Sequence, residues 1–365
     1  MHHQLRETPA PVVARTLDDL AQLSGVSRAT VSRVINGGPV AESTKRHVLE
    51  ILTREKYQPN LAARTLARGR SGVVGVVMHL PARMLFQDPY FARLLQGMSD
   101  ALGEQEAGMM LWLGNRSKQE TLGQILAMNL LDGVIVTANF LEDPLVDGLL
   151  SSTLPTVLIG HRREDRTASY VDVDNVRAAE TITAHLLQLG RRRIGHISGT
   201  RRTVAGEDRL AGYRIAMNKA GLSTDGLIVE GDFNDPSGVA GAATLLDRGV
   251  DAIFCANDRT ARGALEVLQA RGIRIPEDVA LAGFDDLDFA TQLDPPLTTI
   301  RQGVDLQGAE AARTLIKLLE DPAGGPRRVL MPAELVIRQS TVGRLKAPTA
   351  PQPAVQQTTG GVPAA

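Results

Sequence analysis

Between Thr16 and Asn36 the chain reads Thr-Leu-Asp-Asp-Leu-Ala-Gln-Leu-Ser-Gly-Val-Ser-Arg-Ala-Thr-Val-Ser-Arg-Val-Ile-Asn, and this stretch restricts the fold more than any other. Thr16 stands where it can cap a helix whose first turn holds Asp18 and Asp19, carboxylates that suit the positive end of a helix dipole. Leu17, Leu20, Ala21 and Leu23 then supply an apolar face at helical spacing. Ser24-Gly25 interrupts the run, and glycine takes a positive φ in a tight turn without steric cost. Ser27 can cap a second helix in which Val31, Val34 and Ile35 face inward, leaving Arg28, Ala29, Ser32 and Arg33 outside. The spacing Ala21-x3-Gly25-x5-Val31 suits a perpendicular helix pair, a helix-turn-helix. A helical hairpin buried in a core has no use for that short, basic outer face.

The charge is distributed to match. The 365 residues carry a formal net charge of only -1, yet residues 1–70 hold 11 Lys and Arg against 6 Asp and Glu, and residues 71–365 hold 29 against 35. A hydrophobic content of 43% allows a substantial core, and the length implies two or three domains. Cys255 is the single cysteine, so neither an intrachain disulfide nor a cysteine-based zinc site can form. The opening residues lack the apolar run of an export signal, and no later run approaches a membrane span, so a soluble cytoplasmic protein is expected. The phosphate-loop, dinucleotide, zinc-protease and nucleophile-elbow motifs are all missing, and His79, His161, His185 and His196 are scattered without metal-ligand spacing. No enzyme, cofactor or metal is expected.

Residues 1–14 read as a loose leader. Ser43 is placed to cap a third helix from Thr44 to about Lys56, with Val48, Ile51 and Leu52 closing a three-helix core. Asn60 can cap a brief helix over 61–67, too short to stand alone in water and therefore suited to a hinge that orders on docking. From Val73 the pattern changes to short apolar strands alternating with amphipathic helices, as in parallel α/β sheets. Strands are expected over 73–78, 109–113, 133–137 and 156–159, with helices over 91–106 and 118–130. A second series follows, with helices over 176–189, 209–220, 237–248 and 259–271 and strands over 194–198, 227–229, 252–255 and 279–283. A further helix over 304–320 and a strand over 334–337 complete it. Two such series in tandem suggest two lobes with a ligand cleft between them. The end, rich in Pro, Ala, Gln, Thr and Gly, reads as a disordered tail over 343–365.

Several ordered motifs together resemble the LacI/GalR family of bacterial transcription regulators over about residues 15–342. They are the stretch from Thr16 to Asn36, Tyr57-x-Pro-Asn60, Leu66-Ala67, the run Gly-Arg-Arg-Arg-Ile-Gly-His-Ile-Ser-Gly at 190–199, Arg209-Leu-Ala-Gly-Tyr213, Ala256-Asn257-Asp258, Gly283-Phe284-Asp285-Asp286 and Pro296-Leu-Thr-Thr-Ile300. The resemblance implies an N-terminal all-α helix-turn-helix domain over 15–60 and a hinge helix and linker over 61–71. It also implies an α/β two-lobed core over 72–342, like periplasmic binding proteins. Lobe 1 would hold about 72–172 and 304–331, and lobe 2 about 173–300 and 332–342. Family members bind near-palindromic double-stranded operators as homodimers or tetramers, and the tail lacks the leucine heptads of one tetramer type, so a homodimer is expected.

By family position Arg28, Ala29 and Arg33 would read bases in the major groove, with Ser27, Thr30, Ser32 and Asn36 on the backbone. Leu66 with Ala67 would enter the minor groove as an apolar wedge. The same resemblance places Asp88, Tyr90, Phe91, Arg209, Phe233, Asn257 and Asp285 in the effector cleft. Arg with Asp or Asn makes paired bonds to neighbouring hydroxyls, and aromatic rings pack on the faces of a sugar. The aromatic content is just 3%, which makes adjacent rings at 90 and 91 notable. Nucleobase-binding members share those rings and Gly231-Asp232-Phe233, but carry arginine where this chain has Thr203, with Arg201 and Arg202 beside it. A repressor controlled by a sugar or glycoside is therefore the reading, against a nucleobase-responsive regulator or a sugar-binding protein without a DNA role.

Overall fold

The computed structural model describes residues 16–35, 38–55, 57, 70–78, 80–114, 117–128, 130–137, 140–162 and 167–343. The chain divides into two compact units, one ending at Ser71 and the other beginning at Gly72. Asn36, Leu66, Ala67, the expected helix over 61–67, the leader over 1–14 and the tail from 344 lie outside the described residues.

The first unit holds α1 (Leu17–Ser24), α2 (Arg28–Ile35) and α3 (Glu42–Arg54). Thr16 caps α1 reciprocally: its Oγ1 accepts the Asp19 N–H at 3.2 Å, and the Asp19 carboxylate accepts the Thr16 N–H at 2.8 Å. Gly25 follows at φ 67°, and a Cβ there would meet nothing within 4 Å, so the dihedral and not crowding requires glycine. Ser27 Oγ accepts the Thr30 N–H at 3.2 Å and starts α2. Leu20, Val31, Val34, Val48 and Ile51 make the buried core of the three helices. The expected Ser43 cap is displaced: α3 begins at Glu42 and Ala41 precedes it without a side-chain bond. Glu42 instead places a negative charge in the first turn, where the helix dipole favours it.

The second unit runs β1 (Val73–Met78), α4 (Ala82–Gln87), α5 (Pro89–Gly103), β2 (Gly108–Leu113), α6 (Lys118–Ala127), β3 (Gly133–Thr137), α7 (Pro144–Leu150), β4 (Thr156–Ile159) and β5 (Ser169–Val173). It continues with α8 (Asn175–Gln188), β6 (Ile194–Ser198), α9 (Val204–Lys219), β7 (Ile228–Glu230), α10 (Asp235–Asp247), β8 (Ala252–Cys255), α11 (Asp258–Ala270) and β9 (Ala280–Ala282). A short 3-10 turn (Asp288–Thr291), β10 (Thr299–Arg301), α12 (Val304–Glu320), β11 (Arg328–Met331), β12 (Glu334–Val336) and α13 (Gln339–Val342) complete it. The strands form a six-stranded sheet in the order β11-β5-β4-β3-β1-β2, a four-stranded sheet β7-β6-β8-β9 and the antiparallel pair β10-β12.

The apolar runs are parallel strands covered on both faces. Val74, Val76 and Met78 of β1 join one core with Leu94, Met98 and Leu315, while Val77 joins another with Val134, Val136 and Leu158. Helix α12 packs on α5 and the first sheet although it follows the second sheet in sequence. The two helices meet backbone to backbone: a Cβ on Gly97 would lie 1.8 Å from the Asp305 carbonyl oxygen, and one on Gly308 2.1 Å from that of Leu94. Strand β5 lies outside the strands read from sequence, because Ser169-Tyr-Val-Asp-Val173 puts polar residues at alternate positions and buries Asp172. Helix α9 begins at Val204, ahead of the expected start at 209, because Thr203 Oγ1 caps it by accepting the Gly206 N–H at 3.2 Å. Arg209 thus projects from within the helix. Among the described residues no helix is long and apolar enough to cross a membrane.

Candidate functional site

On the first unit, inward Val31 and Val34 fix the rotation of α2, and Arg28, Ala29 and Arg33 are exposed on its other side. Ser27 is exposed and Thr30 and Ser32 are half-buried beside them. Arg28 Nη1 lies 3.7 Å from Asp18 Oδ2, but both side chains are about two-thirds in solvent, so the pair adds little stability and Arg28 can exchange partners.

On the second unit, the ends of strands from the two sheets converge on a cavity of about 360 Å³, and all seven expected cleft residues line it. Asp88 caps α5, accepting the Tyr90 N–H at 3.0 Å on Oδ1, and receives Arg259 Nη1 at 3.2 Å on Oδ2. Burial pushes the Asp88 carboxyl up and Arg259 opposes that shift. Tyr90 and Phe91 meet edge to face with centroids 5.3 Å apart, and Tyr90 Oη donates to Gln307 Oε1 at 3.4 Å. Burial raises the Tyr90 hydroxyl pKa, with the Asp285 charge next, so it remains a donor.

Arg209 is held from several sides in the cavity. Its Nε donates to Asn175 Oδ1 at 3.0 Å, Nη1 donates to the Ala256 carbonyl at 2.6 Å, and the guanidinium lies 3.6 Å from the Phe284 ring centroid. Nη1 also stands 3.4 Å from Asp285 Oδ1, which accepts Gln302 Nε2 at 2.6 Å. Burial raises the Asp285 carboxyl to about 7 despite the lowering effect of Arg209. Asp285 and Asp286 have positive φ values of 115° and 57°, and Phe233 has 55°. Such strain concentrates where surrounding structure aims side chains at a ligand.

Asn257 lines the cavity but also builds it. Its Oδ1 accepts the Thr260 N–H at 2.9 Å and the Thr260 hydroxyl at 2.7 Å, capping α11, and Nδ2 donates to the Phe233 carbonyl at 3.0 Å. Phe233 packs on Gly199, where a Cβ would fall 1.9 Å from the ring. Several lining residues stand outside the set expected from sequence: Phe140, Asp172, Asn175, Arg202, Gln302 and Gln307. Gln302 directly follows the Pro-Leu-Thr-Thr-Ile motif, and a polar residue at a strand end is a usable signal. Asp172 and Asn175 lie in and just after a strand without an apolar run, so theirs was hidden.

The two sheets are tied together around the cavity. Asp88 with Arg259 forms one link, and Arg93 Nη1 donates to the Asp286 carbonyl at 3.2 Å. Phe140 and Thr203 form an antiparallel bridge, and Leu141 N–H donates to the Arg202 carbonyl at 2.8 Å. His161 joins Asp172 at 2.7 Å through Nδ1 and stands 3.5 Å from Asp208 through Nε2. The arrangement can enclose a small ligand between convergent polar groups and apolar rings.

Residues 16–60 match the profile of bacterial regulatory proteins of the lacI family, and residues 183–341 match a periplasmic binding protein-like domain. The chain is 39% identical over 332 residues to the HTH-type transcriptional regulator CelR of Thermobifida fusca, covering 89% of this chain and 98% of the relative. It is 32% identical over 335 residues to the HTH-type transcriptional repressor PurR of Photobacterium profundum, again covering 89% and 98%. Among solved structures, the complex of the transcriptional regulator CelR with cellobiose superposes with a TM-score of 0.71 at 37% identity, covering 89% of this chain and 99% of that one. The lac repressor dimer bound to operator and an anti-inducer shares the fold, with a TM-score of 0.80 at 24% identity over 90% of this chain and 99% of that one.

Proposed function

The chain belongs to the LacI family of bacterial regulatory proteins, and from that premise we propose a repressor that binds a near-palindromic operator as a homodimer and changes its operator affinity when a small neutral saccharide fills the cleft. The observation that carries the reading is the setting of Arg209. A buried guanidinium, fixed on three sides by Asn175, the Ala256 carbonyl and the Phe284 ring, faces a cavity that also holds Asp285, Gln302 and the rings of Tyr90, Phe91 and Phe233. Paired donors and acceptors suit adjacent ring hydroxyls, and the aromatic faces suit the C–H faces of a pyranose. The relative crystallised with cellobiose supports a β-linked glucose disaccharide as the first ligand to try. Thr203 stands where nucleobase-binding members carry arginine, and its hydroxyl caps α9, while Arg202 beside it lines the cavity against the Phe140 ring.

At the other end, Arg28 and Arg33 are the base readers and Ala29 offers a methyl contact. Arginine can give two hydrogen bonds to a guanine edge, worth about 1–3 kcal/mol of discrimination. The test is to select duplexes from a randomised pool with the full chain, then titrate the winner with and without cellobiose. A ligand-dependent change in affinity supports the reading, as does loss of preference over a scrambled duplex in Arg28→Ala. Selection that yields no preferred sequence contradicts it.

A further inference from the structure

We propose that Phe140 sets the length of the saccharide the cleft accepts, restricting it to short neutral chains; this rests on the saccharide reading above. Arg209, Asp285 and Gln302 line the cavity and are buried. Phe140 also lines it but is half-buried, and Leu141 and Arg202 beside it are exposed, so the ring stands between the cavity and solvent. A chain of sugar rings held by Arg209 and Asp285 that grows toward Phe140 must leave past its ring.

That exit is closed by both backbone and side chain. Phe140 pairs with Thr203 of the opposite lobe, and Leu141 N–H donates to the Arg202 carbonyl at 2.8 Å. Two cations hold the ring: Lys118 Nζ lies 5.0 Å from its centroid and the Arg202 guanidinium carbon 5.7 Å. Lys118 is itself fixed by Asp143 at 2.9 Å. A ring held this way is a stop, and a longer ligand would have to part the seam between the lobes. The cavity of about 360 Å³ is at the small end of the range for small-molecule sites.

The lining offers a phosphate few partners. Of its two arginines, Arg209 is committed to Asn175, the Ala256 carbonyl and Asp285, and Arg202 lies against the Phe140 ring.

The test is calorimetric titration of the full chain with glucose and its β-1,4-linked oligomers up to five units, and with cellobiose 6-phosphate. Wild type is expected to bind cellobiose and to lose about tenfold or more in affinity at three units. Phe140→Ala is expected to recover most of that loss, and Phe140→Leu reads the same shift if the alanine variant does not fold. Cellobiose binding by wild type with an unchanged length limit in both variants overturns the role of Phe140 and leaves the saccharide reading standing. Equal affinity for every length, or tighter binding of the phosphate, also overturns the inference. Binding of no member of the series removes the saccharide reading, and the inference with it.

Discussion

Arg209 from within α9 and Asp285 from the loop after β9 stand 3.4 Å apart in the cleft, with 5% and 3% of their surfaces exposed. A buried pair of this kind is stable only as a pair, because either group alone would leave an uncompensated charge out of water. Arg209→Ala also deprives Asn175 and the Ala256 carbonyl of a partner. The expected loss is about 3 kcal/mol or more of unfolding free energy, read by urea unfolding. Asp285→Asn keeps the shape and the bonds of Arg209 to Asn175 and the Ala256 carbonyl, and should lose clearly less; equal losses would show that the charge pair, not the packing and hydrogen bonds of Arg209, dominates.

Two buried groups should tilt stability against pH in opposite directions. Asp285 is raised from 3.8 to about 7, so its contribution is full below its unfolded value and lost as pH rises through about 7. His196 is lowered from 6.5 to about 4 by burial between the rings of Tyr213 and Phe254, so its contribution is full above 6.5 and lost as pH falls through about 4. Between those limits the slopes oppose each other. Relative to wild type, His196→Gln should lose stability with rising pH by about 1.4 kcal/mol per unit, and Asp285→Asn should gain it at a similar rate. Unfolding curves at three pH values between about 4.5 and 6.5 check this, and parallel wild-type and variant profiles would refute it.

Asp88 serves as the α5 cap and as one half of an inter-lobe ion pair, and the two roles can be separated. Asp88→Asn retains a capping oxygen for the Tyr90 N–H but gives up the charge that meets Arg259 at 3.2 Å. Arg259 keeps Asp235 within its own lobe at 2.8 Å, so the fold should survive. The expected result is a more open average form, seen as a larger radius in small-angle scattering and weaker ligand binding by about tenfold. Asp88→Ala should cost roughly 1 kcal/mol more in stability through the lost cap. An unchanged radius in both variants would mean that the other links suffice.

Much of this was legible in the residues. The first helix pair could be read because capping, periodicity and a turn glycine are local signals, and the strands of β1, β3, β4, β6 and β8 because apolar runs announce burial on both faces. Strand β5 was not legible, since Asp172 is buried there by bonds to His161, Val173 and Asn175 that only the fold assembles. The seven expected cleft residues were drawn from motifs and do line one cavity, but their duties differ from what residue type suggests. Asn257 uses its amide to cap α11 and fix Phe233, and Asp88 directs its carboxylate to Tyr90 and Arg259. Phe140 carries no motif; its place depends on a bridge to a residue 63 positions away.

Gly25 offers a test of the helix-turn-helix that does not involve the cleft. At φ 67° with open space around the missing Cβ, Gly25→Ala should cost about 1 kcal/mol through the dihedral alone. Hydrogen exchange of the α1 and α2 amides in the full chain should accelerate about fivefold, while exchange in the second unit stays as it was. Acceleration in both units would contradict the division of the chain at Ser71.

The most direct measurement of coupling is the affinity of the full chain for its selected operator duplex, titrated with and without saturating cellobiose, in wild type and in Arg209→Gln. A saccharide-controlled repressor should show a change of about tenfold or more in wild type, and none in a variant whose cleft no longer holds the ligand. Identical wild-type curves with cellobiose demonstrably bound, or the same change in Arg209→Gln with no cellobiose bound to it, would contradict the coupling of cleft to operator.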